Sequence, residues 1–183
     1  KVLAKGAYRA VRVWDDSLAA TDSVTVARAL AGVATREEAD LILAGVQSSD
    51  LAQGATGTAT ARILGLPHAA VVLEAEWDGG ATLTATRELE GGMRHRFELP
   101  APALLTVQTG GHTPRYATMR MIKQAKKKTI DVLDGASIGL DQAGAQLRAL
   151  TVPVKSGQAE MLQGDAAEVP KAIADIVRKK RGE

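Results

Sequence analysis

The segment Asp40-Leu-Ile-Leu-Ala-Gly45 opens the stretch that decides the fold, and the chain continues as Val46-Gln-Ser-Ser-Asp-Leu-Ala-Gln-Gly-Ala-Thr-Gly57. The first segment is a short continuous apolar run, which is typical of a strand buried on both faces of a parallel sheet. The second is rich in small and polar residues. It leads into a predicted helix over residues 57–64, which ends before Gly65-Leu-Pro67. Strand, loop and helix in this order predict one unit of an α/β fold.

Segments on either side extend this pattern. Thr21 or Asp22 can cap a helix that runs to about residue 33. The turn sequence Asp78-Gly-Gly80 predicts a hairpin. Strands are predicted over residues 7–14, 68–76, 81–89, 93–99 and 103–109. The order of elements predicts an α/β fold with a mostly parallel sheet, flanking helices and an antiparallel addition.

Capping signals place the remaining helices. Residues 1–6 predict the last turn of a helix, closed by Gly6. Thr113-Pro114 supplies an N-cap and a proline at the first helical position, so a helix is predicted to begin there and to end in the lysine cluster. Apolar segments follow at residues 130–133 and 149–154, and a last helix is predicted over residues 166–181.

The composition is that of a globular domain. Hydrophobic residues make up 45% and charged residues 24% of the 183 residues, close to the averages of about 45–50% and about 25%. Aromatic residues are only 3%, which disfavours a base-stacking surface for nucleic acid. The sequence has no cysteine, which excludes thiolate metal ligands and thiol nucleophiles from these residues. No apolar run reaches the roughly 18 residues of a spanning helix, so we expect no direct membrane insertion.

Charge is distributed unevenly along the chain. The formal net charge is +2, yet residues 115–128 hold six basic residues and no acidic one. The remainder of the chain has 17 basic and 21 acidic residues. A local concentration of positive charge steers an acidic partner or a phosphate towards the protein.

The loop over residues 45–57 is the first candidate site. It runs from the carboxyl end of a strand to the start of a helix, where free N–H groups and the helix dipole favour an anion. Gln47, Ser48, Ser49, Gln53 and Thr56 add neutral donors, which suit a nucleotide bound without chemistry. Without a GxGxxG or Walker pattern, an ordinary connecting loop is the alternative.

The basic segment over residues 114–128 is the second candidate. At helical spacing Arg120, Lys123 and Lys127 share a face, and Met121, Ile122 and Ala125 are expected to turn inward. Met119 stays near the arginine side, where a flexible apolar side chain ringed by cations suits a docking anchor. A solvated basic face with methionines in the core is the alternative.

No residues in the sequence demand catalysis. The three histidines have no metal-ligand spacing, and no nucleophile or acid–base pair is recognisable. We therefore expect no catalytic residue and no metal site.

Four short sequences between residues 87 and 128 are more specific evidence than these patterns. They are Arg87-Glu-Leu-Glu-Gly-Gly92, Pro102-Ala-Leu-Leu-Thr106, Pro114-Arg-Tyr-Ala-Thr-Met119 and Lys123-Gln-Ala-Lys-Lys-Lys128. In this order and spacing they resemble the β subunit of electron transfer flavoprotein. The similarity extends across most of the chain.

The resemblance implies a Rossmann-like fold of the adenine-nucleotide-hydrolase type. It implies a nucleotide-binding core over residues 1–133, and an arm and helix over residues 134–183 that pack on a partner subunit. Members of the family place a strand, a helix and another strand before the match to Lys1. We therefore expect the first strands of the domain to be missing, and residues 1–183 alone not to fold stably.

The resemblance also implies an electron carrier subunit rather than an enzyme. Such a subunit pairs with an α subunit that holds most of the FAD, while the β subunit binds a structural AMP. Electrons pass from acyl-CoA dehydrogenases of fatty acid β-oxidation and from other dehydrogenases to a quinone oxidoreductase. The expected location is the bacterial cytoplasm or the mitochondrial matrix, with no nucleic-acid partner.

Carried over residue by residue, the AMP phosphate loop falls on residues 50–57, with Thr56 and Gly57 at the helix start. The family's glutamine beside that threonine falls on Ala55, and Gln53 stands two residues earlier. The residues assigned to cofactor binding are Gln47, Asp50, Gln53, Gly54, Ala55, Thr56, Gly57 and Thr58.

The family's recognition loop falls on residues 114–128. Met119 takes the position of a leucine that inserts into dehydrogenase partners, so the resemblance favours the docking interpretation of the basic segment. The residues assigned to docking are Tyr116, Ala117, Thr118, Met119, Arg120, Ile122, Lys123, Lys126, Lys127 and Lys128.

A second interpretation retains the loop but not the flavin. It is a stand-alone adenine-nucleotide-binding module of the stress-protein or hydrolase type. Such a module has no need for a methionine anchor ringed by cations, which favours the electron carrier.

Overall fold

The computed structural model describes residues 1–18, 22–140, 148–153, 159 and 161–182. Contacts divide the chain into two units, Lys1–Arg148 and Ala149–Glu183. The helices described in the first unit are α1 (Ser23–Arg36), α2 (Thr56–Leu64) and α3 (Met119–Ala125). Its strands are β1 (Val11–Val13), β2 (Leu41–Gly45), β3 (His68–Glu76), β4 (Thr82–Glu88), β5 (Arg94–Pro100), β6 (Ala103–Val107) and β7 (Asp131–Leu133).

The main sheet confirms the predicted fold class. Its five strands lie in the order β2-β6-β3-β4-β5. The pairs β2–β6 and β6–β3 are parallel, whereas β3–β4 and β4–β5 are antiparallel. The turn at residues 78–80 joins β3 to β4, as its sequence predicts. A separate two-stranded parallel sheet pairs β1 with β7.

Helix α1 begins where its sequence provides a cap. The Asp22 carboxylate accepts hydrogen bonds from the backbone N–H groups of Val24 and Thr25, at 2.7 and 2.9 Å. Thr21, the other predicted cap, lies outside the described residues. Small residues are buried along α1, and the Thr60 hydroxyl of α2 donates to the Ala27 carbonyl at 3.5 Å. These small side chains let α1 and α2 pack closely.

Strand β2 is only partly buried, so the prediction of burial on both faces is wrong. Leu43 is 63% exposed. Among the described strands β2 pairs with β6 alone, which makes it an edge strand of the main sheet. Its side chains also line an open cavity beside α1 rather than a closed core.

Helix α3 begins five residues later than predicted. Thr118, not Thr113, is the N-cap, and its hydroxyl accepts from the Met121 N–H at 3.3 Å. Residues 113–118 are not helical. The predicted inward side is confirmed, because Ile122 and Ala125 are less exposed than Lys123 and face the turn at Leu3–Lys5.

The end segments match their predictions in part. Leu3–Lys5 forms a 3₁₀ turn closed by Gly6 at φ 109°, and this left-handed conformation favours glycine. Residues 149–153 form no helix or strand, and residue 154 lies outside the described part of the chain. In the second unit the predicted last helix is confirmed as α4 (Glu168–Arg181).

Candidate functional site

A cavity of 710 Å³ lies where the carboxyl end of β2 meets α1 and α2. One wall is apolar and comes from α1 and β2, including Val26, Leu30 and Leu41. The other wall carries the uncharged polar side chains of Gln47, Ser48, Gln53 and Thr56. The carboxylates of Asp22 and Glu37 also line the cavity. Asp22 caps α1, and Glu37 pairs with Arg9 at 2.9 Å. An apolar cavity of this size with a few convergent polar groups is typical of a small-molecule site.

The N-terminus of α2 opens onto this cavity through Thr56 and Gly57. Its N-cap residue is Ala55, and no side chain in the described structure caps the first turn. Helix α1 differs, because the Asp22 carboxylate satisfies its first N–H groups. The α2 terminus therefore offers backbone donors and a positive dipole end to an anion.

Gly57 lets α2 lie directly against the main sheet. A Cβ atom at this position would lie 2.6 Å from Cγ2 of Thr106 and 3.2 Å from Cβ of Ala44. Gly45 differs, because a Cβ added there would meet no atom within 4 Å and would project into open space. One glycine therefore sets the helix–sheet distance, and the other leaves room at the cavity wall.

Gln53 is oriented from the start of α1. The Ser23 hydroxyl donates a short hydrogen bond to Oε1 of Gln53, and both residues line the cavity. Because Oε1 accepts this bond, the amide nitrogen of Gln53 remains to donate elsewhere. The side chain displaced by two residues from the family position therefore still reaches the same cavity.

Asp50 is the charged residue of the loop. The Ser48 side chain, by hydrogen bonding to the carboxylate, and the Leu51 N–H, which donates at 2.8 Å, lower the pKa of Asp50 below its ordinary value of 3.8. The carboxylate is therefore ionised at neutral pH, and Asp50 does not line the cavity.

The structure gathers four of the eight predicted cofactor residues at the cavity: Gln47, Gln53, Thr56 and Gly57. Asp50, Gly54, Ala55 and Thr58 do not line it, and the Thr58 hydroxyl donates to the Ala55 carbonyl at 3.0 Å. The assignment of residues missed Ser23, Leu51, Thr60 and the apolar wall. The sequence does carry a signal for Ser23, because Ser23 follows the capping residue Asp22 and helix starts flank nucleotide-binding cavities.

The basic segment forms a second surface, around α3. Met119 is 71% exposed and Tyr116 is 87% exposed. Arg120 and Lys123 are exposed beside Met119 on the same helix. A further cavity of 680 Å³ lies next to this surface, with Ile122 on its wall and Arg115 and Lys126 at its polar side.

Lys128 differs from the other lysines of this surface. Its Nζ donates hydrogen bonds to the backbone carbonyls of Ala7 and Tyr8, both at 2.9 Å. These two bonds tie the end of the basic segment to the chain before β1. Lys128 therefore has a structural contact that is not shown for Lys126 or Lys127.

Metal and membrane features are not seen in the described part of the chain. The described residues hold no cluster of three or more His, Asp or Glu side chains placed for a metal ion. None of the helices described is long and apolar enough to cross a bilayer.

The fold and the cavity define a class of protein. A cavity beside a parallel strand and an uncapped helix start, with amide and hydroxyl donors in its lining, is typical of an α/β nucleotide-binding domain.

Comparisons identify the family within that class. Residues 1–138 match the model of the electron transfer flavoprotein domain. The chain is 43% identical over 190 residues to an electron transfer flavoprotein subunit beta of Methylophilus methylotrophus, covering 100% of this chain and 72% of the relative. It is 29% identical over 181 residues to the subunit beta of Bacillus subtilis, covering 96% and 70%. It is 35% identical over 141 residues to the subunit beta of Bos taurus, covering 76% and 54%.

The chain therefore belongs to the electron transfer flavoprotein family, among its β subunits.

Proposed function

We propose that the cavity between α1, β2 and α2 holds AMP as a structural nucleotide. The observation that carries this proposal is the uncapped N-terminus of α2, which opens onto a cavity with one polar and one apolar wall. The phosphate would lie at the N–H groups of Thr56 and Gly57, with Gln53 donating from the side. The apolar wall would take the adenine.

The donor set fits a bound nucleotide that does no chemistry. The cavity offers amide and hydroxyl donors, and the ionised carboxylate of Asp50 stays outside its lining. Of the two carboxylates in the lining, Asp22 accepts hydrogen bonds from the start of α1, and Glu37 pairs with Arg9. Hydrogen bonds from neutral donors and a helix start can hold a phosphate without activating it. The AMP would therefore stabilise the fold rather than react.

The second part of the proposal concerns electron transfer. FAD, which supplies the redox chemistry, would be held mainly by an α subunit that pairs with this chain. The chain itself would act as a carrier subunit without catalytic residues, in the bacterial cytoplasm or mitochondrial matrix. Residues 134–183, with α4, would pack on the partner subunit.

The exposed surface around Met119 would dock the electron donors, which are acyl-CoA and other dehydrogenases. Met119 is an apolar side chain in water, and Arg120 and Lys123 supply charge beside it. The apolar contact would hold the complex, and the cations would speed the encounter with an acidic rim. The same flavin would then reduce a quinone oxidoreductase.

The nucleotide proposal is tested by releasing bound nucleotides from the denatured complex and identifying them. We expect AMP at one per chain. Gly45→Val adds a side chain where the cavity has open space, so this variant should release much less AMP while its FAD content is unchanged. Ala81→Val, at an exposed turn residue, is the matched control and should release as much AMP as the wild type.

Two results would contradict the proposal. Equal AMP release from the Gly45→Val and wild-type proteins would place the nucleotide elsewhere. A colourless full-length protein that binds adenine nucleotides without a partner would instead support a stand-alone nucleotide-binding module.

A further inference from the structure

The motif Arg87-Glu-Leu-Glu-Gly-Gly92 ends strand β4 with an arginine on the apolar face of the sheet. Side chains alternate along a strand, so Arg87 shares a face with Leu83 and Ala85, both of which are buried. Across the strand pair, Ala85 lies opposite Phe97 and Arg87 lies opposite His95. The guanidinium therefore continues a row of core residues to the end of the strand.

Two other arginines of this sheet have carboxylate partners. Arg94 pairs with Glu74 at 3.4 Å, and Arg96 pairs with Glu76 at 3.2 Å. The strand register places these pairs on the opposite face from Arg87. That face is exposed and its charges are balanced by cross-strand neighbours.

Arg87 has no such carboxylate among the described residues. Its Nη2 donates to Nδ1 of His95 at 3.4 Å, and its Cζ lies 5.4 Å from the ring centroid of Phe97. Its Nε is buried and has no hydrogen-bond partner in the described part of the chain. Nε is enclosed by the chain itself, so a partner group cannot reach that atom. Arg87 as a whole is only partly buried, and a guanidinium has five N–H donors, so its other N–H groups can still meet a carboxylate.

Exposed apolar side chains continue the same row beyond Arg87. The Leu89 N–H donates to the Met93 carbonyl at 2.7 Å, which extends the strand pairing into the turn. Leu89 is 41% exposed and Met93 is 64% exposed. A fixed arginine next to exposed apolar groups is typical of the centre of a stable protein interface.

We propose that Arg87 binds an aspartate or glutamate side chain of the flavin-bearing partner subunit, with Leu89 and Met93 covered by the same contact. This inference rests on the proposed heterodimer. The positive charge of Arg87 favours an acidic residue of the partner. Because His95 and Phe97 position the guanidinium, the contact suits a permanent partner. The exposed Lys123, Lys126 and Lys127 around α3 suit a transient partner.

The experiment measures the dissociation constant of the two full-length subunits for the wild type, Arg87→Gln and Arg94→Gln. Arg94 lies on the same hairpin but its ion pair is exposed, which makes it the matched control. We expect Arg87→Gln to weaken association by about tenfold or more, because the partner carboxylate loses a desolvated contact. Arg94→Gln should change it less than about threefold. Arg87→Lys, which keeps the charge but loses the fork, should fall between the wild type and Arg87→Gln.

Circular dichroism and thermal unfolding of each separated subunit accompany the binding measurement. Equal affinity of Arg87→Gln and the wild type would overturn the inference and leave the heterodimer intact. A variant whose separated subunit loses its fold would also overturn it, since Arg87 would then act within the chain. A wild-type chain that never associates with a flavin-bearing subunit would overturn the proposed function itself.

Discussion

Replacement of Gly57 by alanine tests how closely α2 must approach the sheet. The added Cβ would lie 2.6 Å from Cγ2 of Thr106, well inside normal contact. Thr106 is 2% exposed, and its hydroxyl accepts a hydrogen bond from the Val71 N–H at 3.1 Å. The methyl group cannot rotate away without loss of that bond, so either the helix or the strand must move.

The magnitude follows from two opposing effects. Overpacking of a close-packed site costs about 1–3 kcal/mol, and alanine recovers up to about 1 kcal/mol of helix propensity relative to glycine. We expect the free energy of unfolding to fall by about 1–2 kcal/mol. For a chain of this size each kcal/mol shifts Tm by about 2–4 °C.

Thermal and urea unfolding of the full-length subunit provide the assay, and a double variant provides the decisive comparison. Thr106→Ser removes the obstructing methyl group and keeps the hydroxyl that Val71 requires. By itself it should cost about 1 kcal/mol of buried methyl. In the Gly57→Ala background it should relieve the overlap, so that the two changes cost about 1 kcal/mol less than their sum. Strict additivity, or a Gly57→Ala protein as stable as the wild type, would refute the packing argument.

Three further predictions concern the surface and the loop. Met119→Ala should slow electron transfer from dehydrogenases without a change in flavin content. Met161→Ala, at another exposed methionine, should leave the rate unchanged. Equal stopped-flow rates for the Met119 variant and the wild type would exclude the anchor role. Replacement of Lys126 and Lys127 by methionine should lower the rate of association with dehydrogenases and the salt dependence of that rate. Lys128→Met should chiefly lower thermal stability, because its Nζ donates to two backbone carbonyls. Identical effects of both changes on the association rate would contradict the separate structural role of Lys128. The pKa of Asp50 is lowered in the fold, so its contribution to stability is present at pH values above the ordinary aspartate pKa and is lost as pH falls through the lowered pKa. NMR titration should show this carboxyl titrating below 3.8. Ser48→Ala should raise the pKa, because it removes the hydrogen bond from the Ser48 side chain.

Sequence patterns are sufficient to predict an element when its physical cause lies within a few consecutive residues. The Asp78-Gly-Gly80 turn fixes a hairpin because glycine accepts the left-handed backbone, and Gly79 has φ 88°. Asp22 caps α1 because its carboxylate reaches the N–H groups two and three residues ahead. In each case the physical cause is contained in the local chain.

Sequence patterns are insufficient to locate a helix start where two nearby residues could both serve as the N-cap. Thr113-Pro114 and Thr118 both have residue types that suit a helix start, and only the structure shows that Thr118 is the cap used. Equally, an apolar run does not reveal whether its strand has neighbours on both edges. Leu43 is exposed because it lines an open cavity rather than a closed core, which depends on how the elements pack.

The α/β class, the loop at the end of β2 and the basic segment can be predicted from sequence alone, because periodicity, capping and charge are local properties. That Met119 is exposed is known only from the structure. Tertiary structure decided which loop residues meet at the cavity, since Ser23 and Gln53 are distant in sequence and joined only by the packing of α1 on α2. It also decided that Lys128 is held by backbone carbonyls and that Arg87 has no carboxylate among the described residues. Side chains with the same charge have different roles because the fold places different neighbours around them.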